Sequence, residues 1–217
     1  GGQAMEAEWD VIHGANIVGC YNLFEAAQIN GIRRVVFASS NHAIGYYSRH
    51  ARISVDHKVR PDSRYGVSKA FGEAVGSYYA DKFHLGVMAI RIGNVDDYPV
   101  DERRLSIWIS PRDLVQLVRI GLEHPDLHYE IVWGASDNAR SWWDNEPARR
   151  LGYRPLDRAE DHRDYALANE AKRTPNPIAD YYQGGDICAE EFTGRLPGTA
   201  VEDSVDPQED GNHDQRK

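Results

Sequence analysis

Apolar positions recur in two rhythms along this chain. From Trp9 to Asn30 they fall at helical spacing, with Val11, Ala15, Val18 and the neighbouring Tyr21 on one stripe and Ile17, Phe24 and Ala27 on another. Asn30-Gly31 supplies a stop, because both residues tolerate positive φ. Arg34–Ser39 (RVVFAS) is a short continuous apolar run, the pattern of a parallel strand buried on both faces. Ser40–Asp62 is polar and reads as a loop. Tyr65–Phe83 returns to helical spacing through Val67, Phe71, Val75 and Tyr78, and Gly86–Ile92 (GVMAIRI) predicts a second strand. Ser110-Pro111-Arg112-Asp113 opens a third helix, with Ser as N-cap, Pro at the first helical position and an acid against the dipole. That helix runs to about His124, and Tyr129–Trp133 predicts a third strand. Strands alternating with helices of this length imply an α/β fold: a doubly wound parallel sheet with helices on its faces.

Composition narrows the function classes. The 217 residues are 41% hydrophobic, 10% aromatic and 27% charged, as in globular domains. Acids outnumber bases by 34 to 25, which argues against a nucleic-acid partner. No apolar run reaches the roughly 20 residues of a membrane helix. Cys20 and Cys188 make neither a disulfide scaffold nor a zinc site, so a reducing cytoplasm is the expected compartment. Residues 1–195 are read as the body. Residues 196–217, acidic and almost free of large apolar side chains, are read as a disordered tail.

Most chemical fingerprints are missing: no GxxxxGK(S/T), HExxH or GxSxG, no metal-spaced Cys/His set, and no GxGxxG turn between a strand and a helix. Gly66, Gly72 and Gly76 have the wrong spacing and sit inside a helix. One pattern stands out, Tyr65-x3-Lys69. Residues at i and i+4 share a helical face, so the Lys69 ammonium is expected to favour a Tyr65 phenolate and ready it to take a proton from a substrate hydroxyl. A second match, Tyr78-x3-Lys82, lies 13 residues on, roughly 220° around the helix, so the two pairs cannot serve one site. Tyr65 begins its helix after the long loop that leaves the strand at Ser39-Ser40, and ligands in open α/β sheets sit beyond strand carboxyl ends. Tyr78, mid-helix among aromatics, reads as a packing residue.

The order Asn16-Ile-Val-Gly-x-Tyr-Asn-Leu-x-Glu-Ala-Ala, then Val-Val-Phe-Ala-Ser39-Ser40, then Tyr65-Gly-x-Ser-Lys69 resembles the extended short-chain dehydrogenases. The strings SSNHAIGYY from Ser39, Arg91-Ile-Gly93, Leu105-Ser-x-Trp108 and Trp133-Gly-Ala-Ser with Trp142-Trp143-Asp-Asn resemble, more narrowly, the bacterial uronate dehydrogenases, over roughly residues 1–190.

That resemblance implies oxidation of the C1 hydroxyl of glucuronate or galacturonate by NAD+, giving an aldarolactone. Tyr65 would be the base and Lys69 would hold the nicotinamide ribose. Ser40 would hydrogen-bond the reacting oxygen. Asn41, His42 and Asn94 would contact the sugar, and Arg103 its carboxylate, for which a planar guanidinium is a natural clamp. Arg104 is adjacent, so this assignment can slip by one. Ser39, Ile92 and Asn16 would complete the cofactor side, Asn16 supporting the active-site backbone. Ala4 and Asn94 stand where such enzymes usually carry a small hydroxyl residue. The dinucleotide-binding strand, turn and helix would precede Gly1, leaving about three strands, an unpaired edge on RVVFAS and weak NAD binding. Homo-oligomerisation is a further expectation. The alternatives are a nucleotide-sugar epimerase or dehydratase with the same Ser/Tyr/Lys set, and a non-catalytic remnant of the fold. Trp142 and Trp143 read as packing anchors; 157–172, His124, His128 and His162 are assigned no function.

Overall fold

A computed structural model describes residues 7–198; Ala4 and all but the first three residues of the expected tail lie outside the described residues. Five strands follow in chain order: β1 (Arg34–Ser40), β2 (Gly86–Ile92), β3 (Asn94–Val95), β4 (Trp108–Ile109) and β5 (Tyr129–Gly134). The main sheet is parallel in the order β1–β2–β5, with Val36 opposite Met88 and Ala89 opposite Ile131. Its centre, β2, is buried on both faces over Gly86–Arg91, as a continuous apolar run requires. β1 is only half-buried, and among the described residues nothing pairs with its outer edge.

The helices are α1 (Trp9–Ile12), α2 (Gly19–Ile29), α3 (Arg64–Phe83), α4 (Arg104–Ile107), α5 (Pro111–Glu123), α6 (Glu146–Arg150), α7 (Arg163–Glu170) and α8 (Pro177–Tyr181). One face of the sheet packs Phe24 of α2 and Val75 and Tyr79 of α3 against Val87. The other packs Leu117 of α5 against Met88, Ile90 and Val132. Each such buried side chain contributes roughly 1.5–3 kcal/mol. The α/β architecture and all three main strands match the sequence reading. Ser110 caps α5 as expected, its hydroxyl accepting from Asp113 N at 3.1 Å.

Two helical expectations need correction. The helix read as Trp9–Asn30 is broken by a π-helical turn at His13–Val18, which carries Asn16. Gly14 within that turn and Gly19 just after it leave its backbone uncrowded. In α3 the stripe through Val67 and Tyr78 is exposed, at 46% and 47%. The buried face runs instead through Gly72, Val75, Gly76, Tyr79 and Ala80. Small residues let α3 lie close to the sheet: a side chain at Gly72 would overlap the Phe37 ring, and one at Gly66 the carbonyl of His42.

Past β5 the chain returns over the carboxyl end of the sheet. Residues 157–172, read as charged helix or loop, contain a 3-10 turn (Ala159–His162) followed by α7. Trp143 stacks on Trp133 at 4.5 Å, the anchoring role expected of it. After α8, Gln183 N donates to Tyr47 O (2.8 Å) and Gly184 N to Gly45 O (2.9 Å), tying this segment to loop 41–62.

Candidate active site

The carboxyl end of β1 splits two serines by strand alternation. Ser39 points beneath the sheet end, where its hydroxyl donates to Glu73 Oε1 at 2.6 Å. Glu73 is clasped by Arg91, whose Nε and Nη2 each donate at 2.8 Å. The hydroxyl of Ser39, expected on the cofactor side, is committed to this buried network. Ser40 points the other way, its hydroxyl near enough to the Tyr65 phenol to bear on its pKa, and caps the turn Asn41–Ala43 by accepting from His42 N at 3.2 Å.

Tyr65 stands in the first turn of α3, set there by Ser63, whose hydroxyl accepts from Gly66 N at 3.1 Å. The bare Gly66 lets this turn press on the His42 backbone, and the His42 and Tyr65 rings meet edge-on at 6.0 Å. Lys69 lies one turn on. Its Nζ donates to Ala38 O at 2.8 Å and sits 5.2 Å over the Tyr65 ring rather than against its hydroxyl. Burial raises the Tyr65 phenol above its ordinary pKa, and the Ser40 hydroxyl counters this. The expectation that Lys69 depresses Tyr65 is thus not met; Lys69 is itself lowered by burial, and its two other N–H groups are free to reach a ligand. The second pair lies elsewhere: Tyr78 is half exposed on the outer face of α3, with Lys82 over its ring.

Asn41 is buried. Oriented so that both ends of its amide are satisfied, it donates to Ile92 O (3.2 Å) and accepts from Arg103 Nη2 (3.1 Å). The carbonyl of Ile92, expected on the cofactor side, is thus taken by Asn41. Arg103 Nε donates to Gln183 O at 2.9 Å, and Gly185, at φ +70°, leaves room for the guanidinium beside it. Burial, then the neighbouring Arg104 and Arg49, lower Arg103 to about 10, which leaves it cationic at neutral pH. Arg104 pairs with Asp101 one turn back. The two adjacent arginines thus have different partners, Arg103 on Asn41 and Gln183 and Arg104 on Asp101.

Asn94 stands apart on β3, and its Oδ1 is a buried acceptor with no partner among the described residues, as a substrate hydroxyl would find useful. Asn16 reaches from the π turn to Ser68 Oγ at 3.1 Å. With Lys69, Ser68 and Phe37 it lines a cavity of about 220 Å³ beside β1. That wall, with the two remaining N–H groups of Lys69, fits the nicotinamide-ribose end of a dinucleotide. Among the described residues there is no cluster of metal-ligating groups and no helix long and apolar enough to cross a membrane. His128 pairs with Asp81 on the surface, His124 accepts from Asp126 N, and His162 packs against the Trp108 and Tyr98 rings.

Four residues that organise this site were given no role from the sequence: Asp62, Glu73, Arg91 and Gln183. Glu73 carried a signal, since it continues the Tyr65–Lys69 face by another four residues. The other three are joined only by tertiary contacts.

Residues 1–142 match the model of the NAD dependent epimerase/dehydratase family. The chain is 44% identical to the uronate dehydrogenase of Pseudomonas putida, covering 85% of this chain and 69% of that protein. It is 39% identical to an NAD-dependent glucose-6-phosphate dehydrogenase of Haloferax volcanii, over 70% of this chain and 64% of that protein. The solved uronate dehydrogenase of Agrobacterium tumefaciens complexed with NAD superposes with a TM-score of 0.82 at 41% identity, covering 87% of this chain and 71% of that one. The chain belongs to the NAD dependent epimerase/dehydratase family, and the relatives it resembles at more than 40% identity are uronate dehydrogenases.

Proposed function

We propose that this chain carries the proton-transfer and substrate-recognition machinery of an NAD-dependent uronate dehydrogenase, oxidising glucuronate or galacturonate at C1 to the aldarolactone. Tyr65, as phenolate, takes the proton of the C1 hydroxyl, and Ser40 donates a hydrogen bond to the same oxygen. NAD+, when bound, supplies the hydride acceptor. Lys69 and Asn16 flank the ribose side. Arg103 receives the carboxylate, His42 and Asn94 the sugar hydroxyls, and Asn41 holds Arg103 at its post. The observation that carries this reading is the Ser40–Tyr65 pair facing the same loop cluster as a half-buried arginine braced by Asn41 and Gln183. A nucleotide-sugar epimerase needs the first pair but not a carboxylate clamp. Two free thiols fit a reducing cytoplasm.

The test is NADH formation from NAD+ with glucuronate, galacturonate, glucose and UDP-glucose in parallel. Uronate-dependent NADH and a lactone product support the reading. Epimerised UDP-sugar without uronate turnover replaces it with the epimerase reading, and binding of neither sugar class leaves the non-catalytic remnant.

A further inference from the structure

Loop 41–62 ends in a carboxylate that the machinery above does not use. Asp62 is buried, its side chain wholly so. Its Oδ2 lies 2.7 Å from His42 Nδ1, and its Oδ1 accepts from Ser63 Oγ at 3.0 Å. Cys188 Sγ closes a third side at 3.8 Å. Gly45 and Gly184 form the walls, and a side chain at either would overlap the carboxylate. A carboxylate out of water is costly unless its oxygens are taken up by donors. Here two elements far apart in sequence, loop 41–62 and the return segment after α8, are shaped around one.

The chemistry of the contact is directional. An ionised carboxylate only accepts, so His42 Nδ1 carries the hydrogen. A neutral imidazole then has its lone pair on Nε2. Among the described residues Nε2 has no partner. The ring stands edge-on to Tyr65, and the backbone N–H of His42 is fastened to Ser40, which keeps the imidazole beside both of those side chains.

We propose that Asp62 is a positioning residue that holds His42 in the Nδ1–H tautomer, so that Nε2 accepts a hydrogen bond from the sugar hydroxyl adjoining the carbon that is oxidised. This rests on the sugar-acid reading. It assigns His42 the role of an acceptor, not a donor to the carboxylate, which Arg103 already serves.

Asp62→Asn tests it, because Ser63 decides how the new amide turns. The Ser63 oxygen is taken by Gly66 N, so its hydrogen stays aimed at the Oδ1 position. The Asn carbonyl must meet it, leaving the NH2 to face Nδ1 and force the Nε2–H tautomer. Imidazole nitrogen NMR of the unmodified protein should report a protonated Nδ1, reversed in D62N. The variant should lose about 10–100-fold in kcat/KM on glucuronate and less than about 2-fold on 2-deoxyglucuronate. In a His42→Gln background it should add nothing. A protonated Nε2 in the unmodified protein overturns the proposal, as does equal loss on both substrates or additive loss with H42Q. Should D62N fail to fold, H42Q alone decides: loss confined to the 2-hydroxy substrate supports the assignment, and equal loss refutes it. An unmodified protein that turns over no uronate overturns the functional reading, whereas the tautomer measurement strikes at Asp62 alone.

Discussion

Replacing Arg103 by Met tests the carboxylate clamp in a way that separates recognition from folding. The guanidinium has five N–H groups. Nε–H is taken by Gln183 O and one Nη2–H by Asn41. Three remain, both on Nη1 and one on Nη2, which is enough for a two-bond, end-on grip of a carboxylate. Hydrogen bonds to charged groups are worth about 1.5–3 kcal/mol each. Losing two, with the exposed carboxylate of the substrate partly resolvated, should lower kcat/KM for glucuronate by roughly 10²–10³-fold, at about 1.4 kcal/mol per tenfold. Arg103→Lys keeps the charge but not the fork, and should recover only about a tenth of the activity. The control is a neutral hexose, whose weak turnover should change by less than about 3-fold, because no carboxylate is there to be lost. Initial rates with both sugars, at concentrations spanning KM, give the ratio. If R103M slows glucuronate and the neutral sugar by the same factor, Arg103 is a structural brace for Gln183 and Asn41 and the clamp is refuted.

The remaining expectations concern the proton, the buried charges and the decoy pair. Because burial raises Tyr65 and the Ser40 hydroxyl opposes it, Ser40→Ala should push the phenol higher still. A base with a higher pKa is less often ionised at a given pH, so the rising limb of kcat/KM should move to more alkaline pH, with a loss of about 10–100-fold at neutrality; an unmoved limb would sever Ser40 from Tyr65. Glu73→Gln leaves Arg91 buried without its counter-charge and should cost about 3–5 kcal/mol, seen as a fall in Tm of roughly 6–20 °C, whereas the double variant with Arg91→Met should regain most of it. Tyr65→Phe should lower kcat by about 10²–10⁴-fold, while Tyr78→Phe, half exposed on the far side of α3, should leave kcat within about 2-fold, and a large effect there would mean the pair was misassigned.

What could be read from the chain divides along the range of the forces involved. Apolar runs marked all three main strands, most clearly β2, which lies buried between two helical layers and carries a single polar residue, Arg91, near its carboxyl end. The Ser110 cap was legible for the same reason: its hydrogen bond spans three residues. The register of α3 was misread because Gly72 and Gly76 carry no hydrophobic signal, although the helix face that touches the sheet is built from them. The π turn around Asn16 was equally silent, since one extra residue per turn leaves no mark on composition.

The candidate site shows the same division more sharply. Ser40, Tyr65 and Lys69 lie within 30 positions and on one strand end and one helix, so motif spacing could find them. Their electrostatics could not be found that way. Spacing placed an ammonium one turn from a phenol, but the Ala38 carbonyl draws Nζ over the ring face instead. Asp62 and Gln183 act across much longer gaps. Gln183 is buried, and its amide donates to Ser48 O and Ala51 O and accepts from Trp143 Nε1, while its carbonyl holds Arg103. None of these partners is within 30 residues of it. A side chain bonded in this way can neither rotate nor be replaced by another of its size without leaving buried polar atoms bare. The return segment after α8 therefore helps to shape the proposed substrate site. It sets where Arg103 stands, and through Gly184 and Cys188 it walls in the carboxylate beside His42.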